Sequence, residues 1–138
     1  MNETARGAMR IILALIYVVA GVAHCLRPEL FLPIVPDWVP FPRETVVLTG
    51  CCEIAGALAL LTVRLRMLAG IVLALYALCV WPANIKHAVE HIVLPPVPDS
   101  WWYHGPRLAF QPVLIWWALY CSGAVNWPWP RTCAPGSS

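Results

Sequence analysis

Glu53 lies in the middle of an apolar run, residues 44–63 (ETVVLTGCCEIAGALALLTV), of about twenty residues, the length a helix needs to cross a bilayer. A carboxylate at membrane depth costs at least a few kcal/mol unless it is paired, protonated or facing a wet cavity, so it marks a functional position. Four more polar side chains recur near one end of neighbouring runs: His24 late in the first, Asn84 closing the third, and Arg107 and Gln111 early in the fourth. An imidazole and a carboxylate can hydrogen-bond a carbonyl or move a proton, and a guanidinium and two amides can orient a polar headgroup. The five together fit an outward-opening pocket for a quinone or similar amphipathic molecule, with Glu53 and His24 handling protons and Arg107, Asn84 and Gln111 orienting the ligand.

The elements that must position these groups are read from hydropathy. Of 138 residues, 60% are hydrophobic and 12% charged, about half the charged fraction of a soluble domain, which makes this a membrane protein of one domain. Spans are expected at about 8–26, 44–63, 67–83 and 107–125, with 127–138 as a tail. The first follows Arg6 and Arg10 and has features of a signal peptide, but three further spans need it as a packing partner, so it reads as uncleaved. Between spans one and two, Pro28, Pro33, Pro36, Pro40 and Pro42 exclude a regular helix, while Leu30, Phe31, Ile34 and Trp38 keep the segment at the interface. Pro42 then opens helix two, with Glu44 near the positive end of its dipole. Arg64-Leu65-Arg66 is a short turn that returns the chain antiparallel, Pro82-Ala83-Asn84 closes helix three, and Gly105-Pro106 starts helix four. Trp101, Trp102 and Tyr103 suit one interfacial belt and Trp127 and Trp129 the other. The fold class is all-α: an integral-membrane, four-helix antiparallel bundle.

Basic residues orient it. Arg6, Arg10, Arg64, Arg66 and Arg131 share one side with only Glu3 against them, whereas Arg27, Arg43, Lys86 and Arg107 face Glu29, Asp37, Glu44, Glu90 and Asp99. The first side is expected to be cytoplasmic, with both termini on it and both proline-rich loops outside.

Helix starts put Glu53 about 13–15 Å below the outer end and Gln111 about 6–8 Å, so a polar ladder is expected in place of one five-way contact. Gly50 and Ala57 share the Glu53 face and Gly21 lies one turn before His24, which lets helices approach closely there. Arg107, read as a first-turn residue, opposes the helix dipole and calls for an anionic partner, for which Glu53 is the candidate. Pro112 frees a backbone carbonyl beside Gln111. Tyr17, Tyr76, Trp116 and Trp117 have packing as their default role.

His87-Ala88-Val89-Glu90-His91 reads H-x-x-E-H, a zinc-protease pattern with both imidazoles on one helical face, but only Asp99 remains downstream as a third ligand. No metal site is assigned, and an interfacial turn that binds metal at most adventitiously is the expectation. With His24 the only histidine near a span, a bis-histidine haem is not expected. Six cysteines (25, 51, 52, 79, 121, 133) include no CxxC, four lie inside apolar runs as small hydrophobes, and adjacent Cys51 and Cys52 point to different faces, so neither a disulfide framework nor a thiol-redox role is expected. A net charge of +2 without blocks of like charge gives no sign of a nucleic-acid partner.

Gly21-Val22-Ala23-His24, Arg27-Pro28, Val35-Pro36, Gly50-Cys51-Cys52-Glu53-Ile54-Ala55-Gly56, Pro82-Ala83-Asn84-Ile85 and Arg107-Leu108-Ala109-Phe110-Gln111 together resemble the DoxX family of small bacterial membrane proteins. The resemblance covers nearly the whole chain. It implies a four-helix protein of the bacterial inner (plasma) membrane. The family's name-giving member is a small subunit of a thiosulfate:quinone oxidoreductase, and the family has no one shared reaction. Cys25-Leu26 stands where a Phe is common after the family's His. A redox accessory subunit, with quinone as ligand, the lipid bilayer around it, a redox partner subunit as electron donor and a homo-oligomer as an open alternative, is the leading reading. Its rivals are an assembly scaffold whose polar network only fixes packing and a small proton-coupled transporter.

Overall fold

The computed structural model describes residues 3–94 and 98–127; Trp129, Arg131, Cys133 and the tail beyond 127 lie outside the described residues. Four helices dominate: α1, Glu3–Leu26; α2, Pro42–Leu61; α3, Arg66–Val89; and α4, Trp101–Ser122, with two 3-10 turns, Pro28–Leu30 and Leu32–Ile34, between α1 and α2. They pack antiparallel into an all-α bundle. α1, α2 and α3 are each long and apolar enough to cross a membrane. Ile11, Leu15, Val19, Leu48, Leu58, Leu68, Leu75 and Leu78 face outward, which lipid accommodates and water does not. The protein is a multi-pass membrane protein.

The helix boundaries shift the sequence-based expectation in three places. Pro42 does start α2, but α1 begins before the apolar run, at Glu3, and buries Arg6. α3 does not stop at Pro82-Ala83-Asn84; it runs on to Val89 with Pro82 inside it, because a proline removes one backbone bond that neighbouring helices can compensate in a membrane. α4 begins at Trp101, not at Gly105-Pro106, since Ser100 caps it by accepting from Trp102 N at 3.3 Å. The Trp101-Trp102-Tyr103 cluster is therefore the first turn of a helix.

α1 packs chiefly on α2 and α3 chiefly on α4, so the bundle is two helix pairs joined along a looser seam. At one end the seam is dense. Leu13, Ala14, Tyr17, Ala57, Leu60, Leu73, Ala74, Ala118 and Cys121 form the core there. Gly70 sits against Ser122 and the Ala118 carbonyl, leaving no room for a Cβ. Arg10 donates to the Cys121 carbonyl (3.3 Å), Arg6 to Asn126 (2.9 Å), and Trp117 to the Met9 carbonyl (3.2 Å). Arg6 also stacks on the Tyr120 ring, 4.4 Å from its centroid. These cations meet the last turn of α4, where the helix dipole favours them.

At the other end the segment after α1 folds over the helices. Its prolines forbid a long helix but allow the two 3-10 turns, which bury Pro28 and Ile34. Lys86 on α3 holds this cap, donating to the Val35 carbonyl at 3.0 Å and to Asp37 at 2.7 Å. Phe41 takes a left-handed conformation (φ 49°) that turns the chain into α2.

Candidate functional site

Beneath the cap lies a cavity of about 560 Å³ lined by all four helices, and His24, Glu53, Asn84, Arg107 and Gln111 all border it. Most of the remaining wall is apolar, including Ile16, Val46, Val80, Phe110 and Leu114, with Phe31, Ile34, Val35 and Trp38 from the cap. Ile16 and Phe110 are both solvent-accessible in the isolated chain, so the cavity reaches the outer apolar face of the bundle.

The polar groups stand on two walls. On the α1/α2 wall, His24 Nδ1 approaches Glu53 Oε2 at 2.9 Å, with Glu53 only 5% exposed. Neither atom completes a hydrogen bond of good angle, so both keep polar capacity beside the cavity. The local sequence explains the approach. A Cβ on Gly21 would meet the Gly50 carbonyl at 2.6 Å and one on Gly50 the Gly21 carbonyl at 2.7 Å, so the paired glycines let the backbones touch one turn from the pair. The Phe31 ring edge packs on His24 (centroids 4.2 Å apart, 89°), and Tyr76 faces the Glu53 carboxylate and the Thr49 hydroxyl. Tyr17 stacks edge-on against Tyr76 and donates to the Leu73 carbonyl at 3.4 Å.

On the α3/α4 wall, the buried Gln111 amide donates to the Ala77 carbonyl at 2.6 Å and accepts from Asn84 at 3.2 Å. Arg107 does not pair with Glu53. It lies in the second turn of α4, because the helix starts at Trp101, and its Nη1 donates to His87 Nδ1 at 2.6 Å. A guanidinium only donates, so that contact requires a neutral His87 with its proton on Nε2. Tyr103 also lies under the guanidinium, 5.8 Å from its carbon. Among the described residues no carboxylate forms an ion pair with Arg107.

The expected ladder is thus two stations across one cavity. The H-x-x-E-H residues do not share a helical face: α3 ends at Val89, His91 takes a left-handed conformation (φ 50°), and the two imidazoles go separate ways. His87 is buried against His104 (ring centroids 4.7 Å apart), while His91 reaches Asp99 at 3.2 Å, an oxygen that His104 also contacts at 3.3 Å. No group of three or more metal-ligating side chains forms among the described residues. His24 is not alone near the spans, since His87 and His104 are both buried in the helices.

Sequence reasoning missed Tyr17, Thr49, Tyr76 and His87 as neighbours of the site. Spacing held the signal. Tyr17 precedes His24 by seven residues, Thr49 precedes Glu53 by four and His87 follows Asn84 by three, each a same-face interval on a helix.

A family model described as Domain of unknown function (DUF8561) matches residues 13–122, a stretch that contains all five polar cavity residues. No curated protein and no solved structure matches the chain.

Proposed function

The chain belongs to the DUF8561 family, whose description assigns no activity, and from that starting point we propose that it is a membrane redox accessory protein whose cavity binds a quinone or similar amphipathic molecule. The observation that carries this reading is the cavity itself: an apolar chamber with a carboxylate and imidazole on one wall and guanidinium and amide donors on the other. A flat molecule with polar atoms at opposite edges and an apolar tail matches that division.

In this reading Arg107 and Asn84 donate to one oxygen of the ligand, and Gln111 fixes Asn84. Glu53 and His24 exchange a proton with the other oxygen. Their contact lets one take up the proton the other releases, without leaving a lone charge in a dry site. Electrons come from a partner subunit. The DoxX likeness of the short motifs supports the same reading, and a bacterial inner-membrane setting with both termini cytoplasmic is part of the proposal. Two of the bases at the cavity end are ion-paired, Arg43 with Glu29 at 3.1 Å and Lys86 with Asp37, while the opposite end holds Arg6, Arg10, Arg64 and Arg66 with only Glu3 nearby.

The test is binding of decylubiquinone to the purified protein in lipid nanodiscs, followed by native mass spectrometry and thermal shift, for wild type, His24→Ala and Glu53→Gln. Binding by wild type that disappears in both folded variants supports the pocket. If wild type binds nothing and the variants merely melt earlier, the polar groups serve packing and the scaffold reading replaces this one.

A further inference from the structure

Cys25 ends the seam between α1 and α2 on the side away from the cavity, and its Sγ lies 3.8 Å from that of Cys51. The residues alternate across this seam. His24 and Glu53 meet on the cavity side, Cys25 and Cys51 meet on the outer side, and Gly21 and Gly50 make the backbone crossing between them. Cys25 Sγ also points at the Val47 carbonyl, 3.7 Å away, which fixes it along α2. A disulfide needs the two sulfurs about 2.05 Å apart, and here they already lie in van der Waals contact where the helix backbones meet at Gly21 and Gly50.

Cys51 is exposed and sits ten residues into α2, within the stretch expected to cross the bilayer, while Cys25 is half-buried. Its surroundings are lipid, and an oxidant that reaches it must dissolve there. We infer that Cys25 and Cys51 are a redox-active dithiol that joins α1 to α2 as a disulfide by giving its electrons to a membrane-dissolved quinone. The balance is complete: two S–H bonds break, one S–S bond forms, and two electrons with two protons convert one quinone to one quinol. His24 and Glu53 lie one and two residues from the cysteines in sequence but on the cavity side of the crossing, so the dithiol is a site separate from that pair. The choice of acceptor rests on the quinone reading above; the sulfur contact does not.

The experiment uses the full reduced chain in nanodiscs without oxygen. One sample receives diamide and another decylubiquinone, whose fully substituted ring leaves no position for thiol addition. Peptide mapping after alkylation is expected to find Cys25 joined to Cys51 in both samples, with one quinol per disulfide in the second. Cys25→Ser and Cys51→Ser abolish the bond and the quinol, and Cys52→Ser behaves as wild type. Diamide leaving both thiols free, or joining other cysteines, overturns the proposal; so does a bond formed by diamide and not by the quinone. Native mass spectrometry of Cys51→Ser with decylubiquinone reports on the cavity alone, so failure of the dithiol and failure of the pocket are read separately.

Discussion

The polar side chains differ in how far their contacts satisfy them, and that difference separates function from packing. Gln111 spends its amide on Ala77 and Asn84, so Gln111→Leu strands the Asn84 amide and is expected to cost about 1–3 kcal/mol of stability, measured by thermal unfolding in nanodiscs. Glu53 and His24 are different, because each touches the other without completing a hydrogen bond. Removing the imidazole leaves a carboxylate in a dry wall, and His24→Ala is expected to destabilise by about 3–5 kcal/mol when Glu53 is ionised. The double variant His24→Ala/Glu53→Gln is expected to recover most of that loss, since it leaves no unpaired charge. A double variant no more stable than His24→Ala would mean that the pair is not what holds this wall together. Polar identity was legible in the sequence: all five residues picked out from hydropathy border one cavity. Their pairing was not. Arg107 was assigned to Glu53 because its helix was started about a turn and a half too late, and the neutral partner His87 was set aside within a motif that α3 never completes on one face.

Helices were legible where hydropathy and prolines agreed, as at Pro42, and misjudged where a proline or an arginine sat inside a helix. Pro82 and Pro106 read as boundaries, yet both lie within helices, because neighbouring elements and not local sequence decide how much of a broken turn can be tolerated. The cap over the cavity was legible only as a segment unable to form a helix; its docking depends on Lys86, far along the chain. Lys86→Met unties the cap from α3, and hydrogen exchange at residues 31–39 is expected to quicken while exchange in the α1 and α4 cores stays slow. Unchanged exchange in the cap would show that burial of Pro28 and Ile34 suffices to hold it. At the α1–α2 crossing, Gly50→Ala drives a Cβ to 2.7 Å from both the Gly21 carbonyl and His24 Cβ. Backbone cannot rotate aside, so the helices must separate, with an expected loss of about 1–3 kcal/mol and of ligand binding together. Full stability in Gly50→Ala would contradict the close crossing.

Across the whole molecule, acidic residues and packing are both asymmetric end to end. The dense end carries Arg6, Arg10, Arg64 and Arg66, and the cavity end carries the acids. In the proposed orientation, with the dense end cytoplasmic, an impermeant thiol reagent applied to intact cells is expected to label a cysteine placed at Asp37 and not one placed at Arg64, in a background freed of native cysteines. The opposite labelling pattern would invert the orientation. The same asymmetry appears in how the two helix pairs are joined. Arg6, Arg10, Trp117 and Tyr17 bond across the seam at the dense end, whereas toward the cavity end Lys86 holds the cap and Tyr76 faces Glu53 and Thr49 across the seam. The pairs are pinned most heavily at one end and enclose the cavity toward the other, like a clothes peg, and the jaws end on side chains that lipid wets. Under the proposed function a tailed ligand enters between them from the bilayer without crossing water, so the concentration that drives binding is its mole fraction in the bilayer. Lengthening its tail by one methylene then tightens the apparent affinity referred to water by about 0.8 kcal/mol through partitioning, while the affinity referred to lipid stays constant.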